Sequence, residues 1–199
     1  LELDRRGALT GRIVRNDSLL AERMRRAKAN KPPDIAAYSR LLASYGIVGI
    51  TDTSASNTLD TRADFQYLSA SGDLLQQTVL MGGDDFDGGY LKILRDEDSL
   101  PDLTGLVRRI NCARDIGRNV AFHCVTHLEL VFALAVLAEA LPCEQGFDRI
   151  EHGAVVDDEM ARRLADLGLP VITQPGFLFS KGDQYFADLT GAELGNLYR

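Results

Sequence analysis

The second half of the chain alternates β-rich runs with helix-patterned ones, and that alternation limits the fold more than any other feature. "VAFHCV" leads into the strongly apolar helical run "THLELVFALAVLAEAL", which Thr126 caps. "DRIEHG" leads into "DDEMARRLADLG", a short helix with acidic residues at its positive end and Gly168 at its stop, and "PVITQP" follows. Strands separated by helices run parallel, because a parallel pair needs a crossover that a tight turn cannot supply.

Upstream the same alternation is looser. A helix is expected from near Asp34 to Gly46, then the β-rich "IVGITDT", a helix over Leu59 to Ser71, and the strands "QQTVLMG" and "GGYLKILRD". Apolar residues at helical spacing run from Pro101 to Ile116 and stop at Gly117. Six strands are therefore expected, near residues 47–52, 76–81, 89–95, 120–125, 148–152 and 170–174. Leu1 to Val14 reads as a polar arm or hairpin, and Asp17 or Ser18 can cap a helix reaching about Ala29. The tail from Gly176 reads as a loop, with a helix from Leu189.

Bulk properties exclude several classes. With 199 residues the chain suits one sizeable domain. A net charge of −7 argues against a nucleic-acid partner, and the cluster Arg23, Arg25, Arg26 and Lys28 reads as a solvated helix face. No run reaches the roughly 18 apolar residues of a membrane span, and no leader peptide is expected. Cys112, Cys124 and Cys143 are odd in number and lack C-x-x-C spacing, which points to reduced thiols and a cytoplasmic setting.

Chemistry is expected at the carboxyl ends of the strands, where βα units place their sites. Asp52, Lys92, His123, His152 and Gln174 fall at or near such ends. Two of the three histidines occupy matching places on neighbouring strands, which are about 5 Å apart, so two imidazoles come within reach of one divalent ion. His127, in the first turn of a helix, reads as a surface residue. Period-2 alternation puts Ile150 and His152 on one face of "DRIEH" and Arg149 and Glu151 on the other. If the histidine faces point inward, Arg149 and Glu151 point back to the helices, where an ion pair or backbone hydrogen bonds must hold Glu151. Lys92, within an apolar strand, has three readings: a side chain that snorkels to the surface, a Schiff-base amine, or a carbamylated amine that ligates metal.

Taken together, "LKILRD", "VAFHCVT", "DRIEHG" with "DEMARRLADLG", and "PVITQPGF" with "KGDQYF" resemble the amidohydrolase superfamily, in its amidohydrolase-like branch of metal-dependent hydrolases. "YGIVGITDTS" is similar to that branch's "GVT" strand. The resemblance runs over roughly residues 8–199. It implies an α/β fold of the (β/α)8 TIM-barrel type and one or two divalent metals, zinc first among them, at the carboxyl end. It implies His123 and His152 as the strand-five and strand-six ligands, and Lys92 as the strand-four lysine that is carbamylated in many members. The implied activity is hydrolysis of an amide or related C–N bond in a small molecule by metal-activated water.

The departures from that pattern shape the remaining expectations. The first-strand His-x-His pair is absent from the sequence, and the eighth-strand aspartate would fall beyond Arg199. The six strands would then be strands two to seven of a barrel, incomplete here, with residues 1–15 an arm or hairpin and residues 16–199 the partial barrel domain. An arc with two apolar edges is expected to belong to a longer chain or to self-associate as a homo-oligomer. Two other readings stay open: a catalytically incomplete remnant of such a barrel, and a lyase or aldolase using Lys92 as a Schiff-base amine. The segments Ser54 to Asp64, Asp84 to Gly89 and Gly176 to Asp188 are the expected substrate loops, with "GDDFDGG" read as a flexible acidic turn.

Overall fold

Six parallel strands form where the alternation places them, in a computed structural model that describes residues 6–11, 22–23, 33–94, 102–143 and 146–199. They are β1 (Gly49–Asp52), β2 (Gln77–Leu80), β3 (Leu91–Ile93), β4 (Val120–Cys124), β5 (Arg149–His152) and β6 (Val171–Ile172). β1 pairs with β2, and β3 to β6 pair in chain order. A parallel bridge between Gly82 and Leu91 joins the two sheets. The described strands make an open row of α/β type, with no closed ring among them. The expected arm and the helix from Asp17 or Ser18 fall largely outside the described residues.

All the described helices but the one after Gly176 begin where a side chain can accept the free N–H groups of a first turn. Asp34 accepts from the Ala37 N–H at 2.9 Å and starts α1 (Ile35–Ser44). Thr58 caps α2 (Leu59–Ser71) and Asp102 caps α3 (Leu103–Asp115). Thr126 and Glu129 form a reciprocal capping box on α4 (His127–Glu139), and Asp157 caps α5 (Asp158–Asp166). The segment expected to be a loop after Gly176 is a helix instead, α6 (Phe177–Asp188), followed by α7 (Gly191–Leu194). Its apolar residues cluster at Phe177, Leu178 and Phe179 and again at Tyr185 and Phe186, with Gly182 between, so the sequence carries little helical signal.

The core lies between the sheet and helices α3 to α5. Leu91, Ile93, Val120, Phe122, Cys124 and Ile150 point to the helices and pack with Leu106, Ile110, Leu130, Leu134, Met160 and Leu164. Burying each such Leu or Ile contributes about 1.5–3 kcal/mol. A buried ion pair fastens this layer at the amino end of the sheet. Arg114 on α3 donates to both Asp148 oxygens, at 2.6 and 3.3 Å, and Asp148 also accepts from the Val120 N–H at 2.8 Å.

The β2–β3 crossover contains no helix, and the acidic segment stands in its place. "GDDFDGG" is not a free turn: Phe86 is 2% exposed, Asp84 pairs with Arg109 of α3 at 2.5 Å, and Asp87 pairs with Arg62 of α2. Arg118 donates to the Gly82, Gly83 and Tyr90 carbonyls at 3.0–3.1 Å. Gly89 has φ 54°, and a Cβ there would stand 2.0 Å from the Leu80 carbonyl oxygen, so the close pass of this segment over β2 needs a glycine.

Candidate functional site

Register decides which side chains share the inner face. Lys92 is level with Ala121 and Ala121 with Arg149; one step on, His123 is level with Glu151 and Glu151 with Ile172. Level residues of parallel strands point the same way, and so do residues two apart on one strand. Lys92, Ala121, His123, Arg149 and Glu151 therefore share the face away from the helices. The expectation that Arg149 and Glu151 point back to the helix layer is overturned: Ile150, between them, is the residue in the helix-side core. The expected ion pair does hold Glu151, with Arg149 Nε 2.5 Å from its Oε1, but on the inner face. Arg149 also stacks its guanidinium 4.9 Å from the Tyr90 ring centroid.

By the same parity His152 should point with Ile150 into the helix layer. It does not, because the backbone turns at that residue. His152 has φ 73°, in the left-handed region, and the Gly153 N–H donates to the Glu151 carbonyl at 3.1 Å. An i→i+2 hydrogen bond around a positive φ is the signature of a strained γ-turn, rare for a residue with a side chain. The same N–H reaches the Cys124 carbonyl at 2.9 Å, which ties the turn to β4. The result is an imidazole beside His123: ring centroids are 4.5 Å apart, edge to face at 77°. Gln174, just beyond β6, places Oε1 2.5 Å from His152 Nδ1, and Phe177 lies 6.4 Å away at 23° to the ring.

Lys92 is 3% exposed, so it does not snorkel to solvent. Burial pulls its pKa down to about 8; Glu151 pulls the other way, and Arg149 adds to the lowering. One carboxylate thus sits with two cations on the inner face, with Lys92 and Glu151 themselves buried. Ala121, level with both Lys92 and Arg149, puts only a methyl group between them.

The remaining expected positions have structural occupations. Asp52 accepts from the Ser54 N–H at 2.8 Å and the Asn57 amide at 2.9 Å; burial raises its pKa, but these bonds outweigh it and hold the carboxyl below its ordinary value. His127 is not a bare surface residue. It is half-buried and its Nε2 lies 2.9 Å from Asp157 Oδ2, linking the first turn of α4 to the cap of α5. Of the expected substrate loops, two are largely helix, α2 and α6, and the third is pinned between α2 and α3.

As a metal centre the donor set is partial. A catalytic zinc commonly takes three protein ligands and an open position. His123 and His152 supply two imidazoles, Glu151 is engaged by Arg149, and Lys92 is an amine. Among the described residues no three His, Cys, Asp or Glu side chains converge as a metal-holding group. The pair fits as part of a coordination sphere. It becomes a three-donor set only if Lys92 supplies an oxygen ligand. No described helix is long and apolar enough to cross a membrane.

No protein-family model and no curated protein matches the chain. Two solved structures resemble it. One is an uncharacterized metal-dependent hydrolase from Pyrococcus furiosus, with TM-score 0.66 and 19% identity, covering 94% of this chain and 47% of that one. The other is an uncharacterized metal-dependent hydrolase from Pyrococcus horikoshii OT3, with TM-score 0.63 and 19% identity, covering 98% of this chain and 47% of that one. At that identity the likeness is one of fold, and the chain spans about half the length of either protein.

Proposed function

We propose that this chain forms part of a (β/α)8-barrel, metal-dependent hydrolase that cleaves a C–N bond, of the amide type, in a small molecule. The observation that carries the reading is the pairing of His123 and His152 at 4.5 Å on the inner face that also holds the buried Lys92. The names of the two structural neighbours support the reaction class, and the amidohydrolase-like motifs support the bond type. His123 and His152 would hold a divalent ion, zinc first among those that the amidohydrolase-like resemblance implies. Lys92 would join them as a carbamate, since a buried amine with a pKa near 8 is largely available to carbon dioxide at mildly alkaline pH. The ion would supply Lewis acidity, polarising a carbonyl and acidifying water. Arg149 and Glu151 stay paired on the same inner face, and the γ-turn at His152 fixes the second imidazole.

Metal analysis of the full-length protein tests this. A divalent metal near one or two equivalents is expected, falling more than tenfold in His123→Ala and His152→Ala together with hydrolysis of an amide panel. A metal-free protein that still hydrolyses amides, or variants with unchanged metal and turnover, would sink it. The lowered pKa of Lys92 favours one second reading, a Schiff-base lyase. Borohydride trapping with a carbonyl substrate would then label Lys92, and the absence of a label dismisses it.

A further inference from the structure

We infer that Gln174 is a positioning residue that fixes the tautomer of His152, holding the ring proton on Nδ1 and leaving the Nε2 lone pair bare. Gln174 presents Oε1 to His152 Nδ1 at 2.5 Å, while its Nε2 lies 3.4 Å from the Ile172 carbonyl oxygen. A reversed amide would set two acceptor oxygens, Oε1 and the Ile172 carbonyl, against each other. The oxygen therefore faces the ring, and only a protonated Nδ1 can complete that bond. A neutral imidazole carries one N–H, so Nε2 is the nitrogen with a free lone pair.

Two devices thus act on one residue and fix different freedoms. The γ-turn sets the direction in which the side chain leaves the backbone. Gln174, with Phe177 near-parallel to the ring at 6.4 Å, sets the ring's rotation and its proton. Gln174 lies beyond the last paired residue of β6, so the tautomer depends on a neighbouring βα unit and not on the strand that carries the histidine.

This inference rests on the hydrolase reading only where it makes Nε2 the ligating atom; the tautomer itself can be measured without metal. Full-length protein with 15N-labelled histidine, dialysed against chelator at about pH 8.5, two units above the ordinary imidazole value, reports the two ring nitrogens by long-range 1H–15N correlation. The His152 signals are assigned by their loss in His152→Asn. Wild type is expected to carry the proton on Nδ1. Gln174→Leu, or Gln174→Met should the first not fold, is expected to lose that form to a mixture, and Gln174→Glu, which keeps an acceptor, to retain it. An Nε2–H tautomer in wild type, or an Nδ1–H form that survives in Gln174→Leu, overturns the inference.

Zinc titration of the same proteins separates the two proposals. A drop of about ten- to a hundredfold in zinc affinity in Gln174→Leu is expected for a group that orients a ligating histidine. A wild type with the Nδ1–H tautomer that takes up no zinc sinks the metal-dependent reading and leaves the role of Gln174 standing. Unchanged zinc affinity in Gln174→Leu overturns the assignment of Nε2 as the atom that Gln174 readies.

Discussion

The rings of His123 and His152 lie 4.5 Å apart although strand parity aims the two residues at opposite faces of the sheet. His123 is level with Glu151 and shares its face. His152, one residue later, crosses over because its backbone is left-handed. The pair is made by a strained turn at the end of β5, of the kind that persists where surrounding structure over-determines it.

Gly153 is the residue that lets this turn close. It has φ 53°, and a Cβ there would stand 2.5 Å from Val171 Cγ1 on β6. Gly153→Ala is expected to cost about 1–3 kcal/mol from strain together with that clash. Adding Val171→Ala should recover the clash but not the strain. Chemical denaturation of both variants checks it; a Gly153→Ala protein as stable as wild type would show that the turn is not strained.

The Arg114–Asp148 pair should behave as a buried charge pair with an extra duty. Asp148→Ala leaves Arg114 uncompensated and the Val120 N–H without its side-chain acceptor. A loss of about 3–5 kcal/mol is expected. Asp148→Asn keeps an acceptor for Val120 and should cost less. Equal losses for the two variants in urea melts would mean that the backbone bond contributes nothing.

Much of this fold is legible in the sequence because its signals are local. Thr126 with Glu129, Asp34, Asp157 and the stop at Gly46 mark helix ends by chemistry that acts within four residues. The six strands follow from alternation. The site is half legible. His123, His152 and Lys92 can be picked by their places on strands, but parity counted from His152 assigns the wrong face to Arg149 and Glu151. That count assumes regular β geometry through the last residue of β5, and the γ-turn breaks the assumption. The adjacent "HG" was the available signal, since a glycine beside a strand-end residue allows a turn. Gln174 was visible as a strand-end residue but not as a partner of His152, because their contact spans 22 positions. The helix at Phe177–Asp188 was hidden by weak periodicity and a central glycine.

Arg149 and Lys92 are like charges on one face, so removing one should relieve the other. Arg149→Met takes away a group that lowers the Lys92 pKa and leaves Glu151, which raises it. The Lys92 pKa is expected to rise from about 8 toward its ordinary value. Reductive 13C-methylation followed by pH titration of the dimethyl-lysine signal measures it. A fall in the pKa of Lys92 would contradict the proposed charge arrangement.

Lys92 should also write a pH dependence into stability. Its pKa drops from 10.5 unfolded to about 8 folded, so folding disfavours the charged form. Below pH 8 both states hold the proton and the native state bears the full cost of a buried ammonium, about 3 kcal/mol. Between pH 8 and 10.5 the unfolded chain holds the proton and the native state does not, so stability rises with pH. Above that window the cost is gone. Lys92→Met, similar in volume and uncharged, should therefore be more stable than wild type at neutral pH by up to that amount, with the advantage shrinking to nothing near pH 10.5. Paired denaturation curves across that range read the difference directly, because contributions from other titrating groups cancel between the two proteins. A difference that stays constant with pH would mean that the native state carries Lys92 with an ordinary proton affinity, and the buried amine would lose its special chemistry.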